Sequence, residues 1–242
     1  MKILILMGGE RVEGKNDSYP LYMVELDRKM MIERQLEKCA TLNPSEITCC
    51  VKKEDIADFH IDEIIRQTTE KATCVTVRNK TAGAICTALL AAEKLDTAEE
   101  LVVLAVNEIL DVDFAEIVWK FRNDGLDCGL VSFPSSHPRY SFAKLDKNGF
   151  VCEVAEKRPI SKNALVSFFY FKDSRDFVAS AQDVVRKDNP LNGSFYVSQA
   201  INEMILQQKK VGFYPVSAES FHPLKTEMQL FEYMQDLKGG RV

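Results

Sequence analysis

The run Leu101-Val102-Val103-Leu104-Ala105-Val106 contains no polar side chain and breaks directly into Asn107, Glu108, Asp111 and Asp113. A strand with one wet face alternates apolar and polar residues, so an unbroken run belongs to a strand covered on both faces. Ile3-Leu4-Ile5-Leu6-Met7, ending in Gly8-Gly9, is a second run of this kind. Doubly covered strands need helices on both sides of their sheet, which confines the chain to an α/β layer architecture. Open sheets of that class present ligand-binding side chains at the C-terminal ends of their strands. Asn107 is the first polar residue at such an end, and its amide carries no charge to attract Mg²⁺.

The intervening segments fit the same plan. Apolar residues recur at helical spacing from Met30 to Leu42, Ile47 to Val51 is a β-rich run, and Ile61 to Gln67 reads as a short helix. Val75 to Val77 is a further strand, and the Ala- and Leu-rich stretch Ala82 to Leu95 predicts one continuous helix. Such alternation is the pattern of parallel βαβ crossovers. Beyond residue 127 the strand candidates Gly129–Phe133, Phe142–Leu145, Val151–Val154 and Ala164–Phe171 follow one another with few helices between them. Asp146-Lys147-Asn148-Gly149 marks a hairpin, with Asn-Gly supplying positive φ. Helices return at Ser174–Arg186, Val197–Gln208 and from Thr226 to Leu237, with a strand at Val211–Val216. The expected fold is a mixed, mainly parallel central sheet flanked by helices, with a small antiparallel flap in the second half. A single domain, 1–242, is expected, with a first half (1–127) and a second half (128–242) of different strand pattern.

Composition narrows the function. A net charge of −5 without blocks of like charge gives no nucleic-acid footprint. Seven cysteines, an odd number without Cys-x-x-Cys or zinc-spaced histidines, read as reduced core residues of a cytoplasmic protein. No apolar run approaches 18 residues, so membrane insertion is not expected.

In order along the chain, several motifs resemble those of the sugar nucleotidyltransferases with the nucleotide-diphospho-sugar transferase, GT-A-like fold. Met7-Gly8-Gly9-Glu10-Arg11 stands where that family has its glycine-rich phosphate loop, and Tyr19-Pro20-Leu21-Tyr22 resembles its Pro-Lys segment with the lysine missing. Thr81-Ala82-Gly83-Ala84 is similar to the stretch lining the base, and Asn107 takes the place of the metal-binding Asp. Glu153 to Pro159 resembles the Glu-Lys-Pro motif that faces the sugar phosphate. The strings His137-Pro138-Arg139-Tyr140-Ser141 and Asn192-Gly193-Ser194-Phe195-Tyr196, with the run to Ser161, resemble a subgroup of short family-2 glycosyltransferase or nucleotidyltransferase-like proteins met near surface-polysaccharide genes.

The resemblance implies a Rossmann-like fold with a nucleotide-binding half (1–127) and a sugar or acceptor half (128–242), a nucleotide or nucleotide-sugar ligand with a phosphorylated small molecule, and Mg²⁺. Its nucleotide-binding candidates are Gly8, Gly9, Arg11, Thr81, Ala82, Gly83 and Asn107; its substrate-binding candidates are Arg139, Glu156, Lys157, Asn192 and Tyr196. Backbone amides after Gly8-Gly9 would hold phosphate, Arg11 would bind it bidentately, and Thr81 would cap a helix start. Family chemistry is attack by a sugar-1-phosphate oxygen on the α-phosphate of a nucleoside triphosphate. Both expected metal carboxylates are absent. Asn107 replaces one, and Phe221-His222-Pro223-Leu224-Lys225-Thr226 stands where an Asp-x-Gly-Thr stretch would supply the other. Asp111 and Asp113 are the candidates to stand in as metal ligands, although a helix start near Phe114 makes them caps first; Glu108 would point away from Asn107 if the strand continued. Three functions stay open: sugar-phosphate nucleotidyl transfer, glycosyl transfer from an NDP-sugar with Asp111-Val112-Asp113 as its acidic pair, and silent sugar-nucleotide binding or partner binding.

Overall fold

The computed structural model describes residues 1–7 and 20–239, so Gly8, Gly9 and Arg11 lie outside the described residues. The first half runs β1 (Lys2–Leu6), a small hairpin β2 (Glu25–Leu26) and β3 (Lys29–Met30), α1 (Met31–Ala40), β4 (Glu46–Lys52), α2 (Lys53–Phe59), α3 (Ile61–Thr68) and β5 (Ala72–Val77). It continues with α4 (Ala84–Leu89), α5 (Ala92–Leu95), β6 (Leu101–Ala105), β7 (Glu108–Leu110) and α6 (Phe114–Asn123). The second half holds β8 (Cys128–Pro134), β9 (Ser141–Leu145), β10 (Val151–Glu156), β11 (Asn163–Phe171), α7 (Ser174–Arg186), α8 (Val197–Leu206), β12 (Val211–Pro215), β13 (Phe221–Pro223) and α9 (Glu227–Lys238).

One nine-stranded sheet carries the molecule, in the order β10-β9-β11-β6-β1-β4-β5, with β8 on the other edge of β11 and β12 beyond it. Strands β6, β1, β4 and β5 are mutually parallel, while β11 meets β6 antiparallel. The expected flap is therefore part of the central sheet: β11 pairs with β6 through its C-terminal half and reaches β9 at Ala164.

Burial follows the alternation that a doubly covered strand requires. Ile3 and Ile5 pack with Met31, Leu36, Ile65 and Phe121 on one face. Leu4 packs with Ile85, Phe177 and Ile201 on the other. In β6, Val102 and Leu104 join the first cluster and Leu101 and Val103 the second. Three layers result, with α1, α3, α6 and α9 on one side of the sheet and α4, α5, α7 and α8 on the other.

Two local expectations change. The stretch Ala82 to Leu95 forms two short helices, because Gly83 at φ 109° cannot be helical and Leu90-Ala91 interrupts the remainder. At the β9–β10 turn only Gly149, at φ 84°, has positive φ; Asp146 Oδ1 accepts the Asn148 and Phe150 amides at 2.8 and 2.9 Å. All seven cysteines are free. Cys39, Cys49, Cys50 and Cys128 are buried as expected, but Cys152 is exposed at the register shift between Val151 and Glu153 in β10.

Candidate functional site

The C-terminal ends of β1, β4, β5 and β6 open onto a cleft of about 760 Å³, closed opposite by residues of β9, β10, β11 and the start of α8. That volume lies in the range of small-molecule sites. Leu6, Val77 and Val103 to Ala105 form part of its wall, joined by Leu165 and Phe169. Among the described residues its border carries the cations Lys52, Lys80, Arg139, Lys157 and Lys225 against the carboxyl groups of Glu54, Glu108 and Glu156. A wall with this excess of cations suits an anionic ligand.

Of the expected site residues, Thr81, Gly83, Asn107, Arg139, Glu156, Lys157 and Tyr196 line this cleft. They come from five separate parts of the chain, and the register of the sheet brings them together. Gly83 joins two of these parts. The Phe195 amide donates to the Ala82 carbonyl at 2.7 Å and the Ile85 amide to the Phe195 carbonyl at 3.2 Å. A Cβ on Gly83 would lie 2.5 Å from that carbonyl oxygen, so only glycine permits the approach.

Other placements differ from the sequence reading. Thr81 does not cap the helix amides: its hydroxyl meets the Gly83 carbonyl at 3.3 Å and the Thr87 hydroxyl at 2.6 Å. Ala82 and Asn192 are exposed and not part of the lining, because Ala82 turns its carbonyl to Phe195 and Asn192 occupies the tip of a turn at φ 49°. Ser194 and Tyr196 from that segment reach the cleft instead. Asp111 and Asp113 lie in a separate depression with Arg34, Lys38 and Tyr233. Asp111 lies 2.9 Å from His222 Nε2 and 3.8 Å from the Lys38 ammonium, and Asp113 accepts the Ala115 amide at 2.9 Å as the cap of α6.

Glu108 corrects the assumption of a continuing strand. Strand β6 stops at Ala105, the chain turns through Val106-Asn107, and β7 begins at Glu108. Gln35 of α1 holds that turn, its side-chain amide donating to the Glu108 carbonyl at 2.5 Å. With alternation broken, Asn107 and Glu108 both border the cleft. The buried Glu108 carboxylate accepts the Ser167 amide at 2.7 Å through Oε2 and the Lys225 ammonium at 2.6 Å through Oε1. Antiparallel pairing of β13 with β7 brings this partner in: Pro223 lies opposite Glu108, and the Leu224 amide donates to the Asn107 carbonyl at 2.8 Å. Lys225 was not among the residues picked from the sequence. Its signal there was its position in the stretch that replaces a metal-ligand motif.

On the opposite wall, burial pushes the Glu156 carboxyl above its ordinary range, against a hydrogen bond from Ser198 at 2.9 Å and the nearby charges of Lys157 and Lys225. Lys157, at φ 53°, donates to the Tyr196 hydroxyl at 2.9 Å, and this bond holds its ammonium above the ordinary range. Arg139 lies 4.8 Å above the Tyr140 ring.

The donor set at the end of β6 does not fit the Mg²⁺ implied by the resemblance. Asn107 offers a neutral amide, each Glu108 oxygen already has a partner, and one partner is itself a cation. Divalent cations of this size seek one or two free carboxylates. Among the described residues no group of three His, Cys, Asp or Glu side chains is disposed to hold a metal.

The family profile for nucleotidyl transferases matches residues 4–212, and the chain belongs to that family. A comparison with curated proteins finds no match. Among solved structures, the chain is similar to a nucleoside-diphosphate-sugar pyrophosphorylase from Vibrio cholerae RC9, at 18% identity and a TM-score of 0.83, over 97% of this chain and 100% of that one. It is also similar to a Bacillus anthracis protein assigned as a glucose-1-phosphate thymidylyltransferase, in complex with a sucrose, at 19% identity and a TM-score of 0.78, covering 98% and 94%. HddC from Yersinia pseudotuberculosis, complexed with GMP-PN, shares 14% identity at a TM-score of 0.67, covering 98% and 99%. At these identities the likeness is one of fold. Among the described residues no helix is long and apolar enough to cross a membrane.

Proposed function

We propose that the cleft binds a nucleoside triphosphate and a phosphorylated sugar and transfers the nucleotidyl group between them, in the synthesis of surface-polysaccharide precursors. The observation that carries this reading is the cation-rich wall at the C-terminal edge of a parallel sheet, in a chain of the nucleotidyl transferase family. A phosphate oxygen of the sugar phosphate attacks the α-phosphorus, forming a new P–O bond; the bond to the β-phosphate oxygen breaks, and pyrophosphate leaves with that electron pair. Such transfer depends on positioning and on neutralising phosphate charge. Lys157 and Arg139 supply cations on one wall, Glu156 presents a carboxyl group to sugar hydroxyls, and Thr81 and Gly83 border the base.

A second reading, silent nucleotide-sugar binding, draws on Asn107 and on the ion pair between Glu108 and Lys225, which take up the place of a metal centre. Glycosyl transfer gains no support from Asp111-Val112-Asp113, whose carboxylates serve an ion pair with Lys38 and a helix cap away from the cleft. Calorimetry with a set of NTPs and NDP-sugars, joined to a pyrophosphate-release assay with sugar 1-phosphates, tests both readings. Saturable NTP binding with release supports transfer; binding of NTP or NDP-sugar without release for every sugar phosphate supports the silent binder. No binding of either ligand class overturns both.

A further inference from the structure

We propose that Lys225 is the resident cation at the end of β6, a positioning residue that holds ligand phosphate in place of a divalent metal ion. This rests on the reading of the cleft as a nucleotide site.

Four observations carry it. Lys225 lines the cleft with its side chain about half exposed (47%), whereas the Glu108 side chain that holds it is only 4% exposed. The ammonium is therefore anchored on one side and open on the other. Its anchor is itself fixed, because the Ser167 amide occupies the second carboxylate oxygen at 2.7 Å. The backbone beneath is fixed too: β13 pairs with β7, and Leu224 is bonded to Asn107 at 2.8 Å. Finally, Lys225 borders the same cleft as Glu156 and Lys157 of the other wall, so its charge acts on whatever occupies the space between them.

Electrostatics gives this arrangement its consequence. An ammonium with three donors can give one to Glu108 and direct the others to phosphate oxygens. It also repels a divalent ion from the same spot, while Asn107 offers no carboxylate to retain one. Phosphate binding in this cleft is then independent of Mg²⁺, and the positive charge is supplied by the chain itself.

Isothermal calorimetry with ATP, GTP, CTP, UTP, dTTP and inorganic pyrophosphate, each in excess EDTA and in excess MgCl2, tests the proposal. The expected result is binding that differs by less than about threefold between the two conditions and weakens about tenfold or more in Lys225→Gln, with Lys225→Arg restoring most of it. Removing Lys225 alone leaves a buried carboxylate unpaired, so Glu108→Gln/Lys225→Gln is measured beside it, with circular dichroism and thermal melting to show that it folds. The double variant is expected to lose affinity as the single one does. Wild-type binding that strengthens about tenfold with Mg²⁺, or a folded Lys225→Gln or double variant that binds like wild type, overturns the role of Lys225 and leaves the cleft reading intact. Absence of binding to any probe in either condition overturns both.

Discussion

At the residue scale, Gly83 and Glu156 show how single side chains, or their absence, set the cleft. Gly83 combines φ 109° with a backbone approach from Phe195 that leaves 2.5 Å for any added Cβ. Gly83→Ala is expected to cost about 2 kcal/mol or more, the sum of a disfavoured φ and a clash with unyielding backbone. Urea denaturation measures it; a stability unchanged from wild type would show that the Phe195 segment can shift away. Glu156 makes a pH statement. Burial raises its folded pKa above the unfolded value, so the native state holds the proton more tightly. Stability from this group is fully present below the unfolded pKa of about 4.3 and declines as pH rises through the folded value. Relative to wild type, Glu156→Gln should gain melting temperature as pH rises from about 4 through the folded value, and hold that gain above it. A constant difference between the two proteins across that interval would sink the assignment.

At the element scale, helix ends and strand ends decide which carboxylates are available. Asp113 caps α6 through the Ala115 amide at 2.9 Å. Asp113→Ala should lower stability by about 1 kcal/mol, the usual worth of such a cap, with nucleotide affinity unchanged in calorimetry. A loss of affinity with no loss of stability would point to a ligand role instead. The residue pattern of a helix start was legible here, since Asp precedes Phe114 and a periodic apolar face. The end of β6 was not. Alternation along a strand predicts side-chain direction only while the strand lasts, and Gln35 of α1, 73 residues away in sequence, holds the turn that ends it. For the same reason the stretch Ala82 to Leu95 looked like one helix: its residues favour a helix, but Phe195 fixes Gly83 in a non-helical conformation.

For the molecule as a whole, the two halves that meet at residue 127 do not form separate cores. Each face of the sheet draws on both halves: Ile3 and Phe121 share a cluster with Phe133 and Tyr170, and Leu4 and Leu101 share one with Phe171 and Phe177. Equilibrium urea unfolding should therefore show one transition, with the fluorescence of Trp119 in α6 and far-ultraviolet circular dichroism superimposing. Two separated transitions would mean that the halves fold independently. What the sequence alone determined is the α/β class, the position of most strands and helices, and the stretches that supply the cleft, because hydrophobic period and turn chemistry are local properties. Only the tertiary structure decided that the antiparallel strands join the central sheet, that Asn192 stays outside the cleft, and that Glu108 enters it with Lys225. Strand order, register and ion pairing join residues far apart in the chain, and no local pattern records which distant partner a buried carboxylate will meet.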